Sequence, residues 1–218
     1  MNNRVPPNVT TVLLNLDTVL IGVAISFAVW NLVNNYYIVS LGASLAFFLA
    51  ALNFYHGKVH LVLDNDYQEY CTNRDPRFGL VDFIFHIFTI GSFAFMPFFL
   101  DNVTGYLSCH AIMRVADACL DFTILKTVSE AGLSTEGANK LKSIHVYWLF
   151  ISLAIALFAV VMIALLEYCG FSCELIAVWG LLVGGVLDVT LDYLFHSKYY
   201  FARTKQNCSE GTSHAPEE

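Results

Sequence analysis

Six long apolar segments alternate with short polar stretches along the chain. They are residues 12–33, 37–55, 80–100, 107–126, 144–168 and 174–196. Each has roughly the 20 residues that a helix needs to cross the hydrocarbon core of a bilayer. The pattern therefore predicts an all-α protein, a transmembrane bundle of six spans. The fourth segment is the least hydrophobic, so we expect it to lie inside the bundle.

The positive charges lie at only one end of each segment. Of the 11 lysines and arginines, all except Arg114 flank the segments at that end, and the opposite ends carry none. Basic residues stay on the cytoplasmic side when a membrane protein is inserted. This asymmetry predicts that both termini are cytoplasmic and that the short connections near residues 34–36, 101–106 and 169–173 lie on the other side.

Composition agrees with a membrane protein and argues against a nucleic-acid partner. The chain is 57% hydrophobic and 13% charged, with a net charge of -7, whereas a soluble domain is about a quarter charged. We expect a multi-pass protein of the plasma or inner membrane, with the lipid bilayer as its main partner. Residues 1–200 form one domain, and residues 201–218 form a polar, disordered cytoplasmic tail.

The six cysteines do not predict a disulfide framework. Cys169 and Cys173 flank a tight turn on the non-cytoplasmic side, where an oxidising compartment would allow them to pair. Two free thiols at helix ends fit the same pattern, so both interpretations stay open.

Ionisable residues recur inside the apolar segments at helical spacing, which places them on shared faces. The set is Asp17, His56, Asp82, His86, His110, Arg114, Asp117, Asp121, His145, Asp188, Asp192 and His196. Lipid cannot solvate these groups, so they must point inward or into a water-filled cavity. The sequence therefore predicts a polar interior that is deepest near Arg114 and opens to the cytoplasm.

Three kinds of role fit this polar cluster. Arg114 could form a structural ion pair with Asp117 or Asp188. The acids could attract cations in a conduction or binding pathway, with histidines responding to pH. Alternatively, side chains four residues apart could share a divalent metal that activates water for hydrolysis. That metal set would be Asp82, His86, Asp192 and His196, and no other cofactor is indicated.

The first hundred residues resemble the endolysosomal and bacterial potassium channels, which are built from six-helix repeats. In that family an Arg-x-x-x-Phe-Ser-Asp motif opens the pore-lining first helix, and a proline-containing aromatic run ends the third. Here the similar stretches are Asn15-Leu16-Asp17, Asn53-Phe54-Tyr55-His56 and Phe95-Met96-Pro97-Phe98. The family's Phe-Ser pair is replaced by Asn15-Leu16, and its arginine position falls near Thr11.

The resemblance implies a homotetramer around the first helix that conducts potassium. Asp17 and His56 would support that helix, and Ile21 and Ile25 would be candidates for a hydrophobic constriction. We therefore favour a channel-like protein that conducts or binds cations through a polar interior. The alternatives are an intramembrane metal-dependent hydrolase, and an effector or sensor gated by a cytoplasmic ligand or partner. Whether the protein is an enzyme is not decided by the sequence.

Overall fold

The computed structural model describes residues 7–34, 37–169 and 171–201, and within these ranges it is helical with no strand. The helices are α1 (Pro7–Asn34), α2 (Ile38–Leu63), α3 (Asn65–Asn73), α4 (Pro76–Phe95), α5 (Val103–Thr127), α6 (Thr135–Cys169) and α7 (Phe171–Phe201). A 3-10 turn, Met96–Phe99, links α4 to α5. The prediction of an all-α fold is confirmed. Residues 202–218 of the predicted disordered tail, and the side chain of Cys169, lie outside the described residues.

Five helices, α1, α2, α4, α6 and α7, are long and apolar enough to cross a membrane. Large apolar side chains cover their outer surfaces, such as Phe150 at 67% exposed and Leu194 at 70%. Apolar surface of this extent suits lipid rather than water. The helix α5 corresponds to the predicted fourth span, but Arg114, Asp117, Asp121 and Lys126 make it more polar than the other five. Its crossing of the membrane, and the cytoplasmic location of the termini, remain predictions.

Local capping explains where the polar connections begin and end. The side chain of Asp64 accepts a hydrogen bond from the backbone N–H of Tyr67 and starts α3. The side chain of Asp75 accepts one from the backbone N–H of Arg77 and starts α4, with Pro76 in its first turn. Bonds from Arg77 also lower the pKa of the Asp75 carboxyl, so this cap stays ionised. The sequence did not predict α3, because its nine residues are mostly polar and show no clear apolar period.

The six long helices form a closed ring in the order α1, α2, α7, α6, α5 and α4. Each packs against its two neighbours, and α2 also touches α5 across the middle. Consecutive long helices are antiparallel, so Arg74, Arg77, Lys126, Lys140 and Lys142 lie at one end of the ring, which we call the basic end.

The half of the ring away from the basic end is packed with apolar side chains. Phe47 and Phe93 stack with their ring centroids 4.9 Å apart, and neither is exposed. Met96, Leu100 and Leu107 complete this layer and are also fully buried. Close packing of this kind leaves no room for water or an ion. Most of the buried ionisable side chains lie in the other half.

Candidate functional site

A cavity of about 110 Å³ lies between α2, α5, α6 and α7, in the half of the ring nearer the basic end. Its polar lining consists of Asn53, Arg114, Asp117, Asp121, His145, Trp148, Ser152, Asp188 and Asp192. Its apolar lining includes Ala50, Phe54, Met113, Leu120 and Ile151. An apolar cavity of about 150 Å³ holds benzene, so this space suits a ligand of similar or slightly smaller size.

Negative charge predominates around the cavity. Four carboxylates line it, those of Asp117, Asp121, Asp188 and Asp192, against the single guanidinium of Arg114. Charges in a medium of low dielectric constant interact far more strongly than they do in water. The cavity therefore favours a positively charged occupant.

Arg114 makes only long-range contacts with the carboxylates of Asp117 and Asp188. Its Nη2 is 3.8 Å from Oδ2 of Asp188, and its Nη1 is 4.0 Å from Oδ2 of Asp117. Both distances exceed the 2.7–3.2 Å or so of a hydrogen bond between nitrogen and oxygen. Its Nε is buried and has no hydrogen-bond partner among the described residues. A buried donor without an acceptor costs free energy, so an oxygen from water or from a ligand would stabilise this guanidinium.

Hydrogen bonds fix the carboxylates of Asp188 and Asp192. Asn53 donates to Oδ2 of Asp188 at 3.0 Å, and the Tyr147 hydroxyl is 3.2 Å from Oδ1 of the same residue. Asp192 accepts from Nε1 of Trp148 at 3.2 Å and lies 2.8 Å from Nδ1 of His196. These bonds set the positions of both carboxylates beside the cavity.

His145 and Asp121 form a buried pair between α6 and α5. Nδ1 of His145 lies 2.7 Å from Oδ1 of Asp121. Since an ionised carboxylate only accepts, Nδ1 carries the proton and donates. The imidazole is 1% exposed, and its Nε2 has no partner among the described residues. The pair fixes how α5 and α6 pack beside the cavity.

Other members of the predicted cluster are buried elsewhere in the ring. Nε2 of His86 lies 2.9 Å from Oδ1 of Asp17, between α4 and α1. Asp82 pairs with Arg74 near the basic end. The hydroxyl of Tyr193 is 2.7 Å from Nε2 of His56, which joins α7 to α2. These contacts lie outside the cavity and tie neighbouring helices together.

The structure places the predicted constriction residues inside the protomer. Asp17 is 3% exposed and Ile21 6%, and Ile25 packs against the same apolar core. The exposed side of α1 carries Val19 and Trp30 instead. An oligomer axis at α1 would therefore meet this other face, because Asp17 and Ile21 are covered by their own chain.

The predicted metal ligands are not gathered at one point. Asp82 is engaged by Arg74 and His86 by Asp17, whereas Asp192 and His196 pair with each other on α7. Among the residues that the structure describes, no group of three or more His, Cys, Asp or Glu side chains is placed to hold a metal ion.

His110 lies deeper than the cavity, one turn of α5 beyond Arg114. It is 4% exposed, and its Nδ1 has no partner among the described residues. A hollow of about 10 Å³ borders His110, Arg114 and Asn53. That is close to the smallest space that holds one water molecule, given polar neighbours. Polar groups thus reach past Arg114 by at least one turn.

The short helix α3 covers the basic end beside the cavity. Nζ of Lys140 on α6 lies 2.7 Å from Oδ2 of both Asp64 and Asp66. The fully buried Tyr70 places its hydroxyl 2.6 Å from Oγ1 of Thr127. Burial raises the pKa of the Tyr67 hydroxyl well above its usual range, so that group stays neutral. The ring of Tyr67 lies 6.4 Å from that of His145, which brings α3 to the buried pair.

We expect Lys140→Met to loosen α3 without unfolding the bundle. The substitution removes both ion pairs at the start of α3, and a partly exposed pair of this kind contributes about 1 kcal/mol or less. Amide hydrogen exchange over residues 65–73 will become about fivefold faster. Lys142→Met, on the same helix, is the control and leaves this exchange unchanged. Equal exchange in both variants would show that Lys140 does not hold α3.

Helical spacing located the ionisable groups but not their neutral partners. Trp148 and Ser152 follow His145 by three and seven residues, which puts them on one face of α6. Asn53 precedes His56 by three residues on α2. A search for polar and aromatic residues on the same faces as the charged ones would have found them. That Asn53 and Tyr147 both meet Asp188 carries no such signal, because the three residues come from three different helices.

Comparisons with protein-family models, curated proteins and solved structures found no match to this chain. The resemblance to the potassium channels therefore stays a prediction.

Proposed function

We propose that this membrane protein binds a small cation in the cavity inside its helix ring. The observation that carries the proposal is the charge around that cavity, which is four carboxylates against one guanidinium. Intramembrane acids that face a cavity commonly mark the path or the binding site of an ion or substrate. The site lies within one protomer, so it does not depend on the oligomeric state.

Binding suits this conformation better than open conduction. The cavity lies on the basic side of Arg114, and the layer containing Phe47, Phe93 and Met96 is fully buried on the other side. A cation that entered from the basic end would stop at Arg114, because the guanidinium repels it and the next layer is dry. Conduction would require that layer to open, which a flux measurement in liposomes would detect.

Filling the cavity is the direct test of the binding proposal. Ala50 lines the cavity, so Ala50→Leu will occupy part of the space and weaken binding of small ammonium ions at least tenfold. Ala154 is exposed on the outer side of α6, and Ala154→Leu serves as the control with unchanged binding. The measurement is ligand-dependent thermal stabilisation of the purified protein in detergent, because a ligand that binds only the folded state raises the melting temperature.

Two results would contradict the proposal. One is that no small cation raises the melting temperature of the unaltered protein. The other is that Ala50→Leu and Ala154→Leu bind the cation equally well, which would place its site outside this cavity.

A further inference from the structure

A positive charge on the ligand would match the carboxylates of the cavity but not its guanidinium. Arg114 faces the same space with a guanidinium that makes no hydrogen bond to any described residue, since its nearest carboxylate oxygens are 3.8 and 4.0 Å away. A simple cation would be repelled by this group and would leave its donors unsatisfied. A ligand that also offers an acceptor oxygen therefore fits the cavity better than a simple cation does.

We propose that the ligand is a small amino alcohol, whose ammonium lies among the carboxylates and whose hydroxyl oxygen accepts from Arg114. This inference rests on the proposed function and names the chemical class of the ligand. It uses the two opposite features of one cavity, an excess of carboxylates and a guanidinium without an acceptor.

The spacing around Arg114 favours a hydroxyl over a carboxylate at that end of the ligand. A carboxylate would come close to Asp188 and Asp117, and like charges in a medium of low dielectric constant repel strongly. A hydroxyl both accepts and donates. It can bridge the gap of 3.8 Å between Nη2 of Arg114 and Oδ2 of Asp188, accepting from the first and donating to the second.

The remaining walls suit the body and the ammonium of such a molecule. Trp148 and Phe54 present aromatic rings to the cavity, and aromatic faces attract ammonium groups as well as covering methylenes. The volume of about 110 Å³ accepts a molecule of a few non-hydrogen atoms. No group of three or more ligating side chains among the described residues is placed for a bare metal ion.

The amino alcohol could be a free metabolite or the headgroup of an ethanolamine lipid. Both present a primary ammonium with an oxygen two carbons away, although in the lipid this oxygen is esterified and can only accept. Protein in phosphatidylcholine nanodiscs, with free ethanolamine added, tests the first source. Protein in phosphatidylethanolamine nanodiscs, without free amine, tests the second. Stabilisation by free ethanolamine supports the hydroxyl bridge between Arg114 and Asp188. Stabilisation by the lipid alone would overturn that bridge, because an esterified oxygen cannot donate to Asp188.

The deciding experiment compares matched ligands on the unaltered protein at equal ionic strength. Ethanolamine and propylamine have the same size and charge, but only ethanolamine carries an oxygen. We expect ethanolamine to bind about tenfold more tightly, and we expect potassium and glycine to bind more weakly than ethanolamine. Arg114→Gln should remove the preference for ethanolamine while propylamine still binds. If that variant does not fold, the comparison on the unaltered protein decides alone.

The outcomes separate this inference from the proposed function. Equal binding of ethanolamine and propylamine would overturn the role of Arg114 and leave the cation site intact. Glycine binding as tightly as ethanolamine would overturn the choice of a hydroxyl. If neither amines nor potassium bind, the proposed function itself fails.

Discussion

Arg114→Met will lower the free energy of unfolding by about 3–5 kcal/mol, the usual cost of removing one partner of a buried charge pair. The substitution keeps the apolar stem but leaves the carboxylates of Asp188 and Asp117 without a cation. Asp188 is 4% exposed, so water cannot fully compensate for the loss. Equilibrium unfolding of the purified protein in mixed detergents, with an increasing fraction of the denaturing detergent, measures the change.

A second substitution distinguishes charge from packing in this experiment. If the loss comes from the uncompensated carboxylate, Asp188→Asn in the Arg114→Met background will restore part of the stability. The control is Arg77→Met, because the side chain of Arg77 is 89% exposed and its removal should cost little. A double variant that is less stable than Arg114→Met alone would show that charge compensation is not what Arg114 contributes.

Asp121→Ala will lower the free energy of unfolding by about 3 kcal/mol, because it leaves the fully buried imidazole of His145 without its acceptor. The bond from Nδ1 of His145 to Oδ1 of Asp121 is 2.7 Å long and joins two of the long helices. Asp121→Asn should retain most of the stability, since its amide oxygen accepts the same bond. The measurement is again equilibrium unfolding in mixed detergents.

Glu130 supplies the control for this prediction, because it is an exposed acid in the connection between α5 and α6. Glu130→Ala should change the stability by less than about 0.5 kcal/mol. If Asp121→Ala is no more harmful than Glu130→Ala, the buried pair does not hold the two helices together.

Which residues point inward could be predicted from the sequence, because lipid leaves an ionisable side chain few alternatives. His110, Arg114, Asp117 and Asp121 lie on one face of α5 at steps of four, three and four residues, and all four are buried or partly buried in the ring. Periodicity alone therefore gave the face of this helix. The same reasoning gave the all-α class and most of the helix positions.

Which residue meets which could not be predicted, because partners depend on the order of helices in the ring. His145 pairs with Asp121 on the preceding helix, but His86 pairs with Asp17 across 69 residues. The metal hypothesis joined Asp82 and His86 with Asp192 and His196, which requires α4 to approach α7. In the ring those helices are not neighbours. The hypothesis that Ile21 forms a pore constriction assumed that this residue faces other subunits. In the ring, Ile21 faces the interior of its own protomer.

The short helix α3 could not be predicted for a different reason. Its residues are polar, and its position depends on Lys140, which is 74 residues away from Asp66. The apolar pattern predicted only a polar stretch between the second and third spans. The ion pairs from Asp64 and Asp66 to Lys140 on α6 leave no local signal in the sequence.

Chemical accessibility of Ser152 tests most directly whether the interior is a wet, negatively charged cavity. Ser152 lines the cavity and is 3% exposed, so a cysteine there reacts with a thiol reagent only if water and the reagent can enter. The reagents are the aminoethyl and sulfonatoethyl methanethiosulfonates, used on membranes containing a variant whose native cysteines are alanine. Ala156→Cys, one turn further along α6 and also buried, is the dry control.

We predict that Ser152→Cys reacts with the cationic reagent about tenfold faster than with the anionic one, a difference of about 1.4 kcal/mol. Ala156→Cys should react with neither. A Ser152→Cys variant that is as inert as Ala156→Cys, or that prefers the anionic reagent, would contradict the account of a cation-binding interior.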